Sequence, residues 1–264
     1  MSGVAAVDQA GSDESAELAA RNLHRRLMTS GHERQEGDAC TICFLPVEMP
    51  MGEHSRTNFC CLRRVCDGCI LAAQRRGIYS RCPFCRQPFT RLDDHASLLA
   101  MVRKRADKGD ARAKKVLGEQ YYDGKLGLTK DVTRAIALWT EAAELGCIGA
   151  YFELGLVYHD GLGVEKDEAK GIQYWQHAAM NGDVSSRGCL GVTELQAGNF
   201  ENALQHLMIS AKMGEEVSLN GIRGLLMDGH ATKAQYAEAL LGYQDAVEEV
   251  KSPQREEAKR LRGS

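Results

Sequence analysis

Eight of the ten cysteines in this 264-residue chain lie between Cys40 and Cys85, and this cluster constrains the fold more than any other feature. A C-x2-C turn places two thiolates on one side of a tight knuckle, as a tetrahedral zinc ion requires. The eight form three such pairs and one adjacent pair: Cys40 and Cys43, Cys60 and Cys61, Cys66 and Cys69, Cys82 and Cys85. The first residues show no secretory signal pattern, so we expect metal ligands and not disulfides. Eight thiols would complete two closed structural sites for Zn²⁺ and leave no open catalytic position.

The remaining composition is that of an ordinary globular protein. The net charge is −3, 44% of the residues are hydrophobic, and no run of 18 apolar residues predicts a membrane span. We therefore expect an intracellular protein, cytoplasmic or nuclear, without a membrane partner. Four segments follow from the local composition: a disordered tail (1–38), a cysteine-rich module (39–90), helical repeats (97–250) and a basic flexible tail (251–264).

Internal repetition begins after the module, with a period close to 36 residues. Trp139 recurs as Trp175, 36 residues later, and the Leu-Gly pair that ends at Gly118 recurs at Gly155 and Gly191. Each unit predicts a helix, a glycine-rich turn and a second helix. Three to four units fit, the last degenerate, and residues 98–113 resemble the second half of a unit that caps the first one.

The glycines of the repeats predict two different structural roles. Gly146, Gly182 and Gly214 fall where the second helix of a unit ends and a left-handed residue is needed. Glycine inside a helix costs about 1 kcal/mol against alanine. The recurrence of Gly118 and Gly155 in register therefore predicts close contact between helices, and we expect the recurring aromatic residues to form the core between stacked helices.

The repeat pattern of Leu-Gly, Tyr-x-x-Gly, Trp and Ala-Ala-x-x-Gly resembles Sel1-like repeats, which are related to tetratricopeptide repeats. The resemblance covers about residues 97–250. It implies a right-handed α-solenoid that binds another protein, a substrate or a larger complex, on its concave face. It implies no catalysis.

The cysteine-rich module resembles a RING finger, in which pairs one and three bind one zinc ion and pairs two and four bind the other. Carried over, the first zinc is held by Cys40, Cys43, Cys66 and Cys69, and the second by Cys82, Cys85 and two further ligands. A typical RING supplies a histidine at the position of Arg63, but a protonated guanidinium cannot ligate a metal. Cys60 and Cys61 are the simplest replacement and would have to share a sharp turn. His54 with one of these two cysteines is the alternative.

RING-type E3 ubiquitin ligases recruit a ubiquitin-conjugating enzyme and contribute no covalent chemistry of their own. Three of the family's contact positions are matched here, by Ile42 between the first two ligands, Pro83 between the last two, and Arg86 after the last ligand. The tryptophan that is common on the central helix is absent from Ile70–Arg75. No catalytic residue is predicted.

Residues 56–91 contain eight arginines and one acid, a charge that would also attract nucleic acid. Two four-thiolate zinc sites would offset much of it, since each carries a formal charge of −2. We therefore do not expect a nucleic-acid partner. The sequence predicts a mostly α-helical protein in which a small two-zinc cross-brace module precedes an α-solenoid. It favours a possible E3 ubiquitin ligase or ligase adaptor, with a non-enzymatic interaction scaffold as the alternative and an RNA or DNA binder ranked below both.

Overall fold

The computed structural model describes the backbone of residues 4–263 and the side chains of Ser15 and of residues 17–262. Helices dominate, and one two-stranded antiparallel sheet lies in the cysteine-rich module. The strands are β1 (Ser55–Asn58) and β2 (Arg63–Cys66), with Ser55 opposite Cys66. The helices are α1 (Val4–Thr29), α2 (Met51–His54), α3 (Asp67–Arg75), α4 (His95–Ala106), α5 (Ala111–Asp123), α6 (Val132–Glu144), α7 (Ile148–Asp160), α8 (Glu168–Met180), α9 (Val184–Gln196), α10 (Phe200–Lys212), α11 (Glu216–Met227), α12 (Lys233–Glu249) and α13 (Pro253–Gly263).

Helices α5 to α12 form a solenoid in which each helix packs against the next one along the chain. The first helices of the four units are α5, α7, α9 and α11, and α4 packs on α5 at the start of the array. The repeat pattern of the second unit predicts helices at about 150–159 and 167–180, and the observed α7 and α8 match these bounds within two residues. Aspartate side chains cap several of the helices by accepting a backbone N–H, as Asp131 does for α6 and Asp167 for α8.

The recurring mid-helix glycines allow the tryptophans of the second helices to lie directly against the first helices. A Cβ atom at Gly118 would stand 2.5 Å from Nε1 of Trp139, and one at Gly155 would collide with Trp175 in the same way. Each indole N–H also donates to a backbone carbonyl of the preceding helix, at 3.1 Å for Trp139 and 3.3 Å for Trp175. The predicted close helix contact is therefore confirmed, and both tryptophans belong to the core.

The glycines predicted at the ends of the second helices have left-handed backbones. Gly146, Gly182 and Gly214 have φ values of +83°, +82° and +93°. Each follows the last turn of α6, α8 or α10, where a residue with a Cβ atom would be strained. The prediction for these three positions is confirmed.

The cysteine-rich module has a very small hydrophobic core of its own. Its buried residues are Cys40, Val47, Val65, Cys66 and Ile70, so two of the five are predicted metal ligands. The module packs on the start of the solenoid through Leu62, which is buried among residues of α4 and α5. A core of this size is too small to stabilise an independent domain without a further constraint.

The segment predicted as a disordered tail is ordered over most of its length. Helix α1 packs against α8 and α9 through Leu27, which is buried beside Trp175 and Leu190. The buried guanidinium of Arg187 then donates to the carbonyl oxygens of Leu27 and Ser30, both at 2.7 Å. The composition of the segment cannot support a core alone, but the solenoid supplies the apolar partner surface. Residues 1–3 lie outside the described residues.

The segment predicted as a basic flexible tail forms α13, which packs against α3 of the cysteine-rich module. Arg255 within it is buried, and its side chain donates to backbone carbonyls of the module. The prediction of a flexible tail is corrected for residues 253–263, because tertiary contacts 209 and more residues away in sequence hold the helix in place.

The face of the solenoid formed by α5, α7 and α9, called the inner face below, is covered by the chain itself. Gln35 donates to Asp183 at the start of α9, and Met49 packs against the cluster formed by Val184, Ile209 and Met213. A cavity of about 290 Å³ separates the module from α5 and α7 and is lined by Arg64, Lys115 and other residues of both parts. The N-terminal segment and the module therefore lie on the inner face and limit the access of another protein to it.

We predict that Gly155→Ala lowers the free energy of unfolding by about 1–3 kcal/mol, because the new Cβ atom forces Trp175 out of its position. Gly224→Ala is the matched control, since no atom lies within 4 Å of its added Cβ and the helix gains about 1 kcal/mol in propensity. Urea denaturation followed by circular dichroism measures both. Equal midpoints for the two variants would contradict the packing role of Gly155.

Candidate metal centre

Eight cysteines converge in two groups of four within the module. The first cysteine set consists of Cys40, Cys43, Cys66 and Cys69, and the second cysteine set consists of Cys60, Cys61, Cys82 and Cys85. Within each set all four Sγ atoms lie within 4.8 Å of one another. The grouping interleaves along the chain, as the resemblance to a RING finger implies. His54 is in neither set, and its Nδ1 lies 4.0 Å from a carboxylate oxygen of Glu48.

Two of the four segments that carry these thiols are knuckles with the same backbone pattern. In the first, the N–H of Cys40 donates to the carbonyl of Leu45 and the N–H of Phe44 donates to that of Cys40. In the second, Cys82 donates to Gln87 and Arg86 donates to Cys82. The residue after each second cysteine is left-handed, with φ of +61° at Phe44 and +60° at Arg86. The two knuckles are therefore close structural copies.

A sequence signal for this duplication is present in C-x2-C-x2-P, which occurs at 40–46 and again at 82–88. The two prolines close the knuckles by pairing with the residue before the first cysteine, Pro46 with Ala39 and Pro88 with Arg81. Sequence reasoning found the cysteine pairs but missed the proline that ends each knuckle.

The adjacent pair of the second cysteine set lies in the sharp turn that connects β1 to β2. The N–H groups of Cys61 and Leu62 both donate to the carbonyl of Asn58, and Leu62 has a φ of +55°. A left-handed residue directly after two adjacent cysteines reverses the chain, so their thiols no longer alternate as they would in an extended strand. The turn brings both thiols to Cys82, and Sγ of Cys61 lies 3.6 Å from Sγ of Cys82.

The separations between sulfur atoms fit a tetrahedral thiolate site. Sγ of Cys43 lies 3.9 Å from Sγ of Cys66, and all eight thiols are free. A disulfide would require about 2.05 Å. Four sulfurs at about 2.3 Å from a zinc ion stand about 3.8 Å from each other at the corners of a tetrahedron. The donor set and its geometry therefore fit Zn²⁺ in both sets.

Hydrogen bonds from backbone N–H groups stabilise the thiolate form of one cysteine in each set. The N–H of Cys66 donates to Sγ of Cys40 at 3.3 Å and that of Ile42 donates to it at 3.5 Å. Hydrogen bonds from the thiols of Cys66 and Cys69, with the backbone N–H groups of Cys66 and Cys43, hold the pKa of Cys40 far below its ordinary value. For Cys82, burial opposes ionisation, but N–H groups of its own knuckle lower the pKa to about 7. Burial raises the pKa of Cys61 to about 11, so a metal ion would displace its proton.

The three predicted partner contacts lie on the exposed ends of the two knuckles. Ile42 is 39% exposed, and Pro83 and Arg86 are exposed as well. Phe44 on the first knuckle is 78% exposed, and sequence reasoning did not single it out. Arg63, which stands where a RING has its histidine, lies over the ring of Phe84 at 4.8 Å.

The fold uses part of the basic stretch at 56–91 for contacts within the chain. Three of its eight arginines lie within 4 Å of a carboxylate: Arg64 near Asp38, Arg75 with Glu257 and Arg91 with Asp93. This pairing removes part of the charge that would attract a polyanion.

The site also contains a residue that no sequence signal identified. The buried side chain of Arg255 in α13 reaches the first cysteine set, with one guanidinium nitrogen 3.4 Å from Sγ of Cys43. The segment from 251 onward has the composition of a solvated tail, so only the tertiary structure assigns Arg255 to the module.

The remaining two cysteines lie in the solenoid and belong to neither set. Cys147 and Cys189 are half-buried at or in first helices, and burial raises the pKa of Cys189 to about 12. Among the described residues, no helix combines the length and the apolar character that a bilayer span needs.

Comparison with known proteins identifies the solenoid. The profile of the Sel1 repeat family matches residues 112–147 and 148–183. The crystal structure of a Sel1 repeat protein from Oxalobacter formigenes superposes with a TM-score of 0.52 at 24% identity, covering 69% of this chain and 71% of that one. No significant match was found among curated protein sequences.

A second similar structure is that of a protective antigen of uropathogenic Escherichia coli strains, which displays an SLR fold. It is 27% identical with a TM-score of 0.50, covers 58% of this chain, and is matched over only 33% of its own length. The family match falls on the solenoid, so the resemblance of the cysteine-rich module to a RING finger rests on the module's own residues. The chain therefore contains two units that match the Sel1 repeat family, within a solenoid of the same fold as the solved Sel1 repeat protein.

Proposed function

We propose that the chain binds two structural zinc ions and acts as a RING-type E3 ubiquitin ligase or ligase adaptor. The observation that carries the proposal is the interleaved convergence of eight free thiols into two sets of four. Each set is closed, because four thiolates complete a tetrahedral zinc site and leave no position for a substrate. The first cysteine set would hold one ion and the second the other. Each ion would supply folding free energy to the module and no reaction step.

The way the module is held favours a recruiting role. Its β1–β2 turn packs on the cap of the solenoid through Leu62, and α13 covers the start of α3 beside Gly68. Neither contact involves the exposed knuckle residues Ile42 and Pro83. These are the positions through which a RING finger contacts a ubiquitin-conjugating enzyme, so the module would present them to a partner from a rigid base.

Arg86 would carry the step that distinguishes a ligase from a passive binder. Its guanidinium is exposed and forms no ion pair with any described residue. A guanidinium presents five donors in a fixed plane, which suits carbonyl acceptors on two protein surfaces at once. It would bridge the conjugating enzyme and its bound ubiquitin and restrict the thioester to a reactive orientation. The transfer itself would use groups of the conjugating enzyme.

The solenoid would have two roles under this proposal. Its inner face holds the module and the N-terminal segment, so a protein partner or substrate would contact the surfaces that remain exposed. Such a chain also fits a reducing compartment, cytoplasm or nucleus, where eight thiols stay available to metal.

The alternative is a non-enzymatic scaffold in which the zinc module is only an interaction surface. One observation favours it: α3 carries Ala72 and Ala73 in the stretch where many RING fingers have a tryptophan that contacts the conjugating enzyme. The scaffold predicts specific binding of a protein partner that survives Arg86→Ala, with no acceleration of ubiquitin discharge.

We predict that the purified chain contains two zinc ions and that Cys61→Ser reduces this content to one, because the second cysteine set loses a ligand. Elemental analysis after gel filtration measures the stoichiometry. Cys189→Ser is the matched control, since this thiol belongs to neither set, and it should retain two ions.

His54→Ala tests the alternative ligand and should also retain two ions, because its imidazole is in neither set. Loss of one ion in this variant would favour His54 as a ligand. Fewer than two ions in the unsubstituted chain would contradict the two-site proposal.

We predict that the chain accelerates ubiquitin discharge from at least one member of a broad panel of charged conjugating enzymes. Ile42→Ala and Arg86→Ala should each slow discharge about tenfold or more, a loss of about 1.4 kcal/mol of transition-state stabilisation. Arg56→Ala is the control, because this exposed arginine lies on β1 and not on a knuckle. Single-turnover discharge to free lysine measures the rates.

Zinc content must be unchanged in these variants for the comparison to hold. A fully metallated chain that accelerates no member of the panel would contradict the ligase proposal and leave the scaffold alternative.

A further inference from the structure

Helix α13 meets the module through one buried cation. Arg255 is 6% exposed, and one guanidinium nitrogen donates to the carbonyl oxygens of Pro46 at 2.6 Å and Val250 at 2.9 Å. The other terminal nitrogen donates to the carbonyl of Leu45 at 3.2 Å and to Sγ of Cys43 at 3.4 Å. The guanidinium therefore connects the end of the solenoid, the first knuckle and a thiol of the first cysteine set.

The surrounding contacts fix the helix on the same part of the module. Nζ of Lys259 lies 2.7 Å from a carboxylate oxygen of Glu48, and Glu257 pairs with Arg75 of α3 at 2.6 Å. The fit at α3 is close, because a Cβ atom at Gly68 would stand 2.7 Å from the backbone nitrogen of Arg255. These ion pairs are partly exposed, whereas the guanidinium of Arg255 is enclosed.

A negative charge beside a buried cation lowers the cost of its burial. Burial of an unpaired charge is costly, and backbone carbonyls offer only partial charges. The acids at this interface are Glu48, Glu256, Glu257 and Asp67; Lys259 pairs with the first two, Arg75 with Glu257 and Arg262 with Asp67. The remaining candidates for the negative partner are the sulfurs of Cys43 and Cys66, of which Cys43 accepts a hydrogen bond from Arg255. Four thiolates around one zinc ion carry a formal charge of −2.

We infer that Arg255 supports the first metal site from outside the ligand set, by a hydrogen bond to the ligand Cys43, and that metal binding there is coupled to the docking of α13. The inference rests on the proposed metal sites. Outer residues that donate hydrogen bonds to ligating atoms orient them and tune their donation to the metal. Coupling is reciprocal: a metal ion in the first set raises the equilibrium constant for docking of α13 by the same factor by which the docked helix raises the metal affinity.

The coupling would give the metal a role beyond the module. Only Val250, Lys251 and Ser252 separate α12 from α13, so a docked α13 ties the last repeat of the solenoid to the module. Arg255 and Cys43 are 212 residues apart in sequence. A metal ion in the first set would thus join the two ends of the chain and keep the module seated on the solenoid.

The test uses the full chain loaded with ¹¹³Cd²⁺ in place of zinc, since cadmium NMR reports each four-thiolate site as a separate resonance. Cys61→Ser removes the second-set resonance and so assigns the first. We expect Arg255→Ala to shift only the first-set resonance and to speed cadmium release from that set to a chelator by about 10- to 100-fold. Arg255→Lys keeps the positive charge but loses the planar guanidinium. Its rate of cadmium release should fall between those of the unsubstituted chain and Arg255→Ala.

Two variants on the same helix separate a role toward the metal from a merely structural one. Arg260 is exposed, and Arg260→Ala should change neither the cadmium resonances nor the rate of amide hydrogen exchange in α13. Lys259→Ala removes the pair with Glu48 without touching a sulfur, so it should speed amide hydrogen exchange in 253–263 and leave the first-set resonance in place. Arg255→Ala should change both observables.

The outcomes distinguish this inference from the proposed function. If the chain binds two cadmium ions and Arg255→Ala leaves the first-set resonance and its release rate unchanged, the inference is overturned and the metal sites stand. If the chain binds no cadmium, the metal sites fail and the inference fails with them. A shift confined to the first set, together with faster exchange of α13, supports the coupling.

Discussion

The module depends on one constraint: two sets of four thiols, each drawn from separate segments of the chain, converge at two points. Its apolar core is only a few side chains, and two of those are themselves cysteines. Burial on that scale cannot offset the entropy of ordering some fifty residues, so thiolate–metal bonds would have to supply the difference. The interleaved grouping makes the two sites interdependent, because β2 joins the turn that carries Cys60 and Cys61 directly to Cys66 of the first cysteine set.

The solenoid and the module each cover a surface that the other would leave exposed. The module lacks a core, and the solenoid offers a long inner face of stacked first helices that would otherwise remain open to solvent. Leu62 enters the apolar cluster of α4 and α5, and the guanidinium of Arg187 holds the N-terminal segment by its carbonyls. The repeats therefore act first as a scaffold for their own chain. This arrangement leaves the knuckle ends as the outward surface of the module.

Much of the local structure was predictable because it depends on short-range rules. The period of about 36 residues, the glycines at helix ends and the close helix contact at Gly118 all follow from helix geometry and steric exclusion. The cysteine pairs pointed to two groups of four thiols for the same reason, since a C-x2-C turn brings its two sulfurs together locally. The terminal segments were mispredicted as flexible. Their composition cannot form a core alone, and whether another part of the chain supplies one is not a local property.

By itself, the amino-acid sequence determined the helix pairs, the repeat register and the chemistry of the thiol clusters. These features depend on residues that are near one another along the chain. The tertiary structure alone decided that the inner face is covered, that α13 docks on α3, and that Arg255 lies against Cys43. Those contacts join segments up to 212 residues apart. Their free energy comes from burial and charge compensation between surfaces that exist only after the solenoid and the module have formed.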